Sequence, residues 1–389
     1  MKRLVYFIFI LALLASCRGI VDNKPSDPGT GTETGTGDNG SSEAPGENGG
    51  AEGTGENGGE KTTEVDMAGE GFNLTADNDL SEGWEFDGPE PFHKDVEVII
   101  YYGTNGVNPL NAGEIYLANG ELFCDYLVLF AYNINYNAET DRVYIRSNPN
   151  CQTVSDSSAV LIQPLREKGI KVLMAILGDS SPAGSAQLSD WGAREFAKDV
   201  AQMVKECGFD GVALDDEYSA APDLSNKWFT TRSYAAGSRF CYELKKAMIE
   251  AGCDNSIVHV YQYGYLSRLV SVDGHDPSEF VDQVVGDYFY PGVKQGNMTL
   301  KNCAGMSYEC TRHEHPTLEE ARKIKEDGYG YVMFFDPKPN VFKEYYRPAG
   351  HFNTTALGLY GVGMRPMQWW WKKGDAGQFD TTPTPWGTK

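Results

Sequence analysis

The stretch Phe209–Ala220, "FDGVALDDEYSA", begins as a buried strand and ends in acid: Asp215, Asp216 and Glu217 follow directly on Val212, Ala213 and Leu214. An unpaired buried carboxylate costs several kcal/mol in practice, so three in a row need a reason. Either the chain leaves the core at Asp215 as a solvated loop, or the strand ends in a working site. Side chains alternate along a strand, which puts Asp215 and Glu217 on the face of Ala213 and turns Asp216 the other way. Two carboxyls on one face resist each other's ionisation, which lifts one pKa toward neutrality. A general acid for a glycosidic oxygen needs such a group. Asp210 opens the strand on the opposite side and reads as a structural turn residue.

Similar short apolar runs recur on both sides: "VEVIIYYG", "FCDYLVLFAYNINY", "GIKVLMAILGD", "SIVHVYQYG", "DQVVGDYFY" and "YGYVMFFD", with an eighth near "CAGMSYEC". Between them lie "SSAVLIQPLREKG", "WGAREFAKDVAQMVKECG", "RSYAAGSRFCYELKKAMIEAG" and "TLEEARKIKEDG", with helical apolar spacing and a closing Gly. In the last, Thr317 and Glu320 form a capping box. Near-continuous apolar strands alternating with helices predict a parallel sheet closed as a (β/α)8 TIM barrel, some of its helices short or missing. Chemistry in such barrels gathers at the C-terminal strand ends. The ends here are polar or aromatic: Tyr101 and Tyr102, Asn133 and Asn135, Asp179, Asp215 to Glu217, Gln262, Tyr288 and Asp336. Together they predict a ring of site residues.

The N-terminal "MKRLVYFIFILALLASC" has the basic start, apolar run and small residues of a secretory signal. Its Leu-Ala-Ser-Cys ending resembles a bacterial lipobox, which makes Cys17 the expected lipidation site and residues 1–16 the removed peptide. Residues 17–85, rich in Gly, Thr, Ser and Glu, read as a disordered tether, because such a composition cannot bury enough apolar surface to offset ordering. The barrel is expected over residues 86–389. Arg18 after the Cys favours a bacterial outer-membrane lipoprotein, on the cell surface or the periplasmic face, that meets the membrane only through its lipid. The net charge of -22 argues against nucleic acid and anionic membrane surfaces as partners. Seven further cysteines include no C-x-x-C pair, and His275 and His313 have no ligand spacing, so no metal is expected. Cys303 and Cys310 remain open as a disulfide pair. Trp369, Trp370 and Trp371 read as a sugar-stacking platform or as C-terminal core.

"FDGVALDDEY" resembles the D-G-x-D-x-D-x-E signature of glycoside hydrolase family 18, the chitinases and endo-β-N-acetylglucosaminidases. Chitinases usually carry Trp before the Glu; Asp216 and Tyr218 here give the D-D-E-Y form of the H- and F-type endo-β-N-acetylglucosaminidases. "NPLNAG", "FAYNINYN", "GIKVLMAILGD" and "EDGYGYVMFF" resemble segments of those enzymes in the same order. The resemblance implies retaining, substrate-assisted cleavage through an oxazolinium ion, with no cofactor. Glu217 would be the acid and base, Asp215 would orient the acetamide N–H, and Tyr288 would bind the acetamide oxygen. Asp216, Asn133, Asn135, Tyr102, Asp179, Gln262 and Asp336 would contact substrate. The implied activity is cleavage within the GlcNAc-β1,4-GlcNAc core of N-linked glycans by a monomer. The alternatives are a chitinase-like hydrolase of chitooligosaccharides and a non-catalytic glycan-binding protein on the same barrel. Two positions depart from the pattern: Ala213 replaces the middle Asp, and Gly286 stands where Asn is usual before the Tyr.

Overall fold

The structure is a computed structural model that describes residues 92–312, 315–338, 342–347 and 350–386. The signal segment, Cys17, the tether and His313 lie outside the described residues. Each apolar run becomes a strand: β1 (Glu97–Gly103), β2 (Tyr126–Asn137), β4 (Lys171–Gly178), β5 (Gly211–Leu214), β6 (Ile257–Tyr261), β7 (Gln283–Val285), β8 (Ala304–Glu309) and β9 (Tyr331–Phe335). A ninth, β3 (Arg142–Arg146), folds back antiparallel on β2. The eight parallel strands run in the order β7, β6, β5, β4, β2, β1, β9, β8. A single parallel bridge, Val284 to Cys303, joins the two ends and nearly closes the barrel.

Alternation sorts the strand residues into two apolar layers. Ile99, Tyr101, Val128, Leu173, Ala175, Ala213, Tyr261, Val285, Ala304 and Met333 fill the lumen. Ile100, Leu127, Val172, Val212, Leu214 and Val258 face outward, against Phe196, Val200, Phe240 and Leu244 of the surrounding helices. The helix Asp190–Cys207 starts on the cap Ser189 and stops at Gly208 in the left-handed region. Thr317 and Glu320 form the expected box on Leu318–Glu326.

One sequence expectation is corrected, and two open points are settled. The helix expected across residues 157–169 is broken into Ser158–Leu161 and Gln163–Glu167, because Pro164 supplies no N–H to continue a helix through Ile162. Only 3-10 turns, Gly264–Leu266 and Pro277–Glu279, connect β6 to β7. Cys303 and Cys310 are free thiols, since they flank opposite ends of β8 and are held roughly 20 Å apart by its extended backbone. Among the described residues no helix is long and apolar enough to cross a membrane.

Of the C-terminal tryptophans, two join the core and one is exposed. Trp369 and Trp370 form β10, which pairs with β11 (Thr384–Pro385). Trp370 and Trp371 pack on the outer core, while Trp369 stays exposed. Asn108 and Asn111 of "NPLNAG" hold this segment by its backbone, Asn108 at Lys372 and Asp380 and Asn111 at Trp371.

Candidate active site

Asp210 and Asp215 bracket β5 and do different work. Asp210 accepts from the Val172 N–H at 2.9 Å and meets Arg166 at 3.0 Å, which fixes the start of the strand. At the other end Ala213 faces the lumen, and Asp215 lies one pleat above it. The Asp215 N–H donates to Ile176 O at 3.1 Å, so the β4–β5 ladder reaches into the site. Its carboxyl is buried, and Oδ1 finds no hydrogen-bond partner among the described residues. Burial holds its pKa well above the ordinary range, and the charges of Glu217, Asp216 and Asp287 add to the effect.

Glu217 is only half-buried. Burial raises its pKa too, against a lowering hydrogen bond from Tyr218 and with help from the charges of Asp287 and Asp216. The next residue, Tyr218, holds φ +53, a left-handed conformation that costs a non-glycine residue free energy. Its surroundings impose it: Tyr218 O accepts from Ser180 N at 2.5 Å, and Ala220 N donates to Ser181 O at 2.9 Å. Gly178 makes the close approach possible, because a Cβ there would come within 2.3 Å of Glu217 O. The end of β4 therefore clamps the turn that carries Glu217.

Tyr288, beyond β7, packs its ring against Tyr261 and Phe335 at 5.8 and 5.4 Å, with the Arg312 guanidinium over its face at 5.0 Å. Burial raises its pKa first, then the charges of Asp215, Glu309 and Glu217, so its hydroxyl stays a donor beside the two acids. Gly286 just before it has no room for a side chain: a Cβ would meet Pro291 O at 2.5 Å and Tyr290 O at 2.7 Å. The space that an Asn would need is filled by the returning turn.

The β2–β4 wall gathers three further expected residues. Asn133 donates to Leu177 O and Gly178 O at 3.2 and 3.3 Å, and Asn135 donates to Asp179 Oδ2 at 2.5 Å. Arg146 of β3 pairs with the same oxygen at 2.8 Å. On the far wall Asp336 is ion-paired with Lys338, and its N–H donates to Tyr101 O at 2.9 Å.

Three expected contacts lie elsewhere. Tyr102 points outward and is fully buried in the outer core, since the lumen positions of β1 are Ile99 and Tyr101. Asp216 also points outward; Oδ2 accepts from Tyr265 N at 2.9 Å, and Arg232 stands 4.0 Å from Oδ1. Gln262 spends both ends of its amide on the backbone of Val293, each at 2.7 Å. Asp216 and Gln262 hold loops through these bonds, and Tyr102 packs in the outer core.

Asp287 was missed. It accepts from the Tyr261 hydroxyl and from Tyr288 N, and its charge acts on both Asp215 and Glu217. Its position one residue before Tyr288, at a strand end, was the available signal. Around the mouth Tyr218, Tyr263 and Tyr290 are exposed, with Tyr263 stacked on Tyr261 at 6.1 Å. Chemically the site offers a buried acid and a half-open acid on one face of β5, beside a phenol donor and flat aromatic surfaces. That suits protonation of a leaving oxygen next to a group that must be held.

No protein-family model matches the chain. Endo-beta-N-acetylglucosaminidase F1 of Elizabethkingia meningoseptica is 35% identical over 278 residues, which span 68% of this chain and 78% of the relative. An endo-beta-N-acetylglucosaminidase of Flavobacterium sp. (strain SK1022) is 29% identical over 243 residues, 61% of this chain and 74% of that one. Among solved structures, Bacteroides thetaiotamicron EndoBT-3987 with a Man5GlcNAc product superposes with a TM-score of 0.70 at 36% identity, covering 79% of this chain and 68% of the other. The same enzyme with a Man9GlcNAc2Asn substrate gives 0.70 at 35%, covering 79% and 73%. By its sequence and by the barrel that carries Asp215 and Glu217, the chain belongs to the endo-β-N-acetylglucosaminidases of glycoside hydrolase family 18.

Proposed function

We propose that the protein hydrolyses the β1,4 bond between the two core GlcNAc residues of N-linked glycans, with the substrate's own acetamide as nucleophile. The reading is carried by one observation: Asp215, buried, and Glu217, half-open, follow the end of β5 close enough for their charges to act on each other and on Tyr288. It is supported by the Man9GlcNAc2Asn and Man5GlcNAc ligands of EndoBT-3987. Glu217, whose partial burial raises its pKa and so favours the acid form, gives its proton to the glycosidic oxygen as the bond from that oxygen to C1 breaks. The acetamide carbonyl oxygen bonds to C1, and the positive charge spreads over the resulting oxazolinium ring. Asp215 accepts the acetamide N–H, and Tyr288 donates to the acetamide oxygen. Water then attacks C1 as the oxazolinium C1–O bond breaks and returns its electron pair to the acetamide, while the Glu217 carboxylate takes the water's proton, which restores the acid and the configuration at C1.

The test is mass spectrometry of a high-mannose glycoprotein after treatment. Release of the glycan with one GlcNAc left on Asn supports the reading. Cleavage of chitotriose alone would favour the chitinase-like alternative. Binding of glycan without cleavage of either would favour a non-catalytic protein.

Outside the described residues, we propose that Cys17 carries lipid and that the tether holds a monomeric barrel off the outer membrane. Persistent membrane fractionation of a Cys17→Ala protein would refute the anchor.

A further inference from the structure

Tyr288 stands beyond β7, a strand of only three residues, so the ladder does not hold its side chain. Its backbone is tied down: Tyr288 N donates to Asp287 Oδ1 at 2.7 Å, and Phe289 N donates to Ser307 O of β8 at 2.7 Å. Tyr261 and Phe335 back its ring from the lumen. A phenol still turns about two side-chain bonds, so the aim of its hydroxyl needs a further contact on the solvent side. The end of β8 supplies one. Glu309, the buried last residue of that strand, accepts from Thr311 N and from the Thr311 hydroxyl through Oε1, at 3.2 and 2.7 Å. Its carbonyl accepts from Arg312 N at 3.2 Å, which closes the turn. Arg312 Nε comes to 3.6 Å from Glu309 Oε2, and the guanidinium lies over the rings of Tyr288 and Phe289 at 5.0 and 5.9 Å. Tyr288 packs with the lumen and Phe289 with the outer core, so the cation sits astride the rim. The planar guanidinium is weakly hydrated and stacks well on aromatic faces, even at an exposed position such as this one. Burial above all pushes the Tyr288 pKa up, and the charges of Asp215, Glu309 and Glu217 add to it; the Arg312 charge works against them.

We propose that Arg312 is a positioning residue for Tyr288: its guanidinium closes the solvent side of the ring and fixes the hydroxyl on the acetamide oxygen. The inference rests on the assignment of Tyr288 to the acetamide. An acetamide held in line attacks C1 readily. One whose carbonyl has slipped attacks slowly, although the glycan as a whole is bound as before. The loss of Arg312 therefore falls on kcat and spares KM. Arg312 touches no reacting atom in this scheme.

The test compares wild type, Arg312→Ala, Arg312→Gln, Arg312→Lys, Tyr288→Phe and the double variant of Arg312→Ala with Tyr288→Phe, on a Man9GlcNAc2-asparagine glycopeptide. The same proteins, made with ring-labelled tyrosine, report the Tyr288 ring by nuclear magnetic resonance, assigned by its loss in Tyr288→Phe. In Arg312→Ala we expect kcat to fall about fivefold with KM changed by less than about twofold, and the Tyr288 resonance to shift and broaden. Arg312→Lys restores the charge and should recover part of the loss; Arg312→Gln should recover none. In the Tyr288→Phe background Arg312→Ala should cost little further, because the two act as a unit. Wild-type kcat in folded Arg312→Ala would overturn the proposal. So would a raised KM whose cost persists without the Tyr288 hydroxyl, since Arg312 would then contact the sugar itself. Should Arg312→Ala not fold, Arg312→Gln decides by the same readings. A wild-type enzyme inactive on the glycopeptide would sink the function reading instead, and an unmoved Tyr288 resonance in the Arg312 variants would still overturn this one.

Discussion

The carboxylate of Asp287 accepts the phenolic hydrogen of Tyr261 and so sets a further negative charge beside Asp215 and Glu217. Among the described residues no cation is ion-paired with Asp215 or Glu217 to offset it. Removing that charge makes both easier to ionise. Asp287→Asn should therefore shift the alkaline limb of the pH–rate profile to lower pH, since Glu217 loses its acid proton sooner. A limb that stays in place, measured on a glycopeptide across the pH range, would remove Asp287 from the electrostatics of the site.

Glu217→Gln keeps the shape of the half-open acid and deletes its proton. We expect kcat to fall by about a hundred- to ten-thousand-fold, with melting temperature and glycan affinity near wild type. Near-normal turnover on an unactivated glycan would exclude Glu217 as the acid.

Gly178→Ala touches no substrate in this scheme. Its new Cβ would press within 2.3 Å of Glu217 O and force the turn away from β4. A shift of this kind can cost about a hundredfold in rate, so a large loss in kcat with a modest change in stability is expected. Wild-type kcat in this variant would mean that the turn can move without displacing the acid.

Asp215 ties stability to pH. Its folded pKa is raised, so the neutral form favours the fold, and stability falls as pH rises from the unfolded value through the folded one. Asparagine cannot ionise. Asp215→Asn should melt higher than wild type at pH 7, by several degrees, with the difference closing below about pH 4, the ordinary range of a free Asp. Activity should be lost at every pH. Calorimetry at both pH values checks this, and a lower melting temperature at pH 7 would contradict the burial of an ionisable group there.

Ala213→Asp restores the family residue on the lumen face, directly beside His259 in the sheet. The new charge should raise the apparent pKa of Asp215 and of His259 together and move the pH–rate profile upward. Melting temperature should fall by several degrees, because the position is closed to solvent. A profile superimposable on wild type would show that residue 213 does not act on the acids.

The order of the strands, the placement of Asp215 and Glu217, and the structural role of Asp210 were legible because period-two alternation and a family motif speak to them directly. The same alternation, applied strictly to β1, separates Tyr101 from Tyr102; taking both as one polar strand end hid the difference. Asp216 stands in the motif, but its partners Tyr265 and Arg232 come from elements that only the folded chain brings near. Gln262 and Val293 are joined across a loop with no pattern of its own. The missing helix between β6 and β7 follows the same logic, since Gly264 and Pro277 permit short turns but do not dictate them. Arg312 reads in sequence as one more loop residue, and its meaning comes from the turn that lays it over Tyr288.

The barrel wall is continuous around most of its circumference and is joined between β7 and β8 by one ladder bridge and by the loop after β7, where Phe289 N donates to Ser307 O at 2.7 Å and Gly292 N to Ala304 O at 2.8 Å, on the side where helical cover is also missing. Asp287 and Tyr288 hang from the upper edge of that seam. The catalytic acids of β5, by contrast, rise from a strand hydrogen-bonded on both flanks. In the proposed mechanism the proton donor and one acetamide contact, Asp215, thus stand on a strand anchored on both sides, and the other acetamide contact, Tyr288, stands on the lightly joined edge.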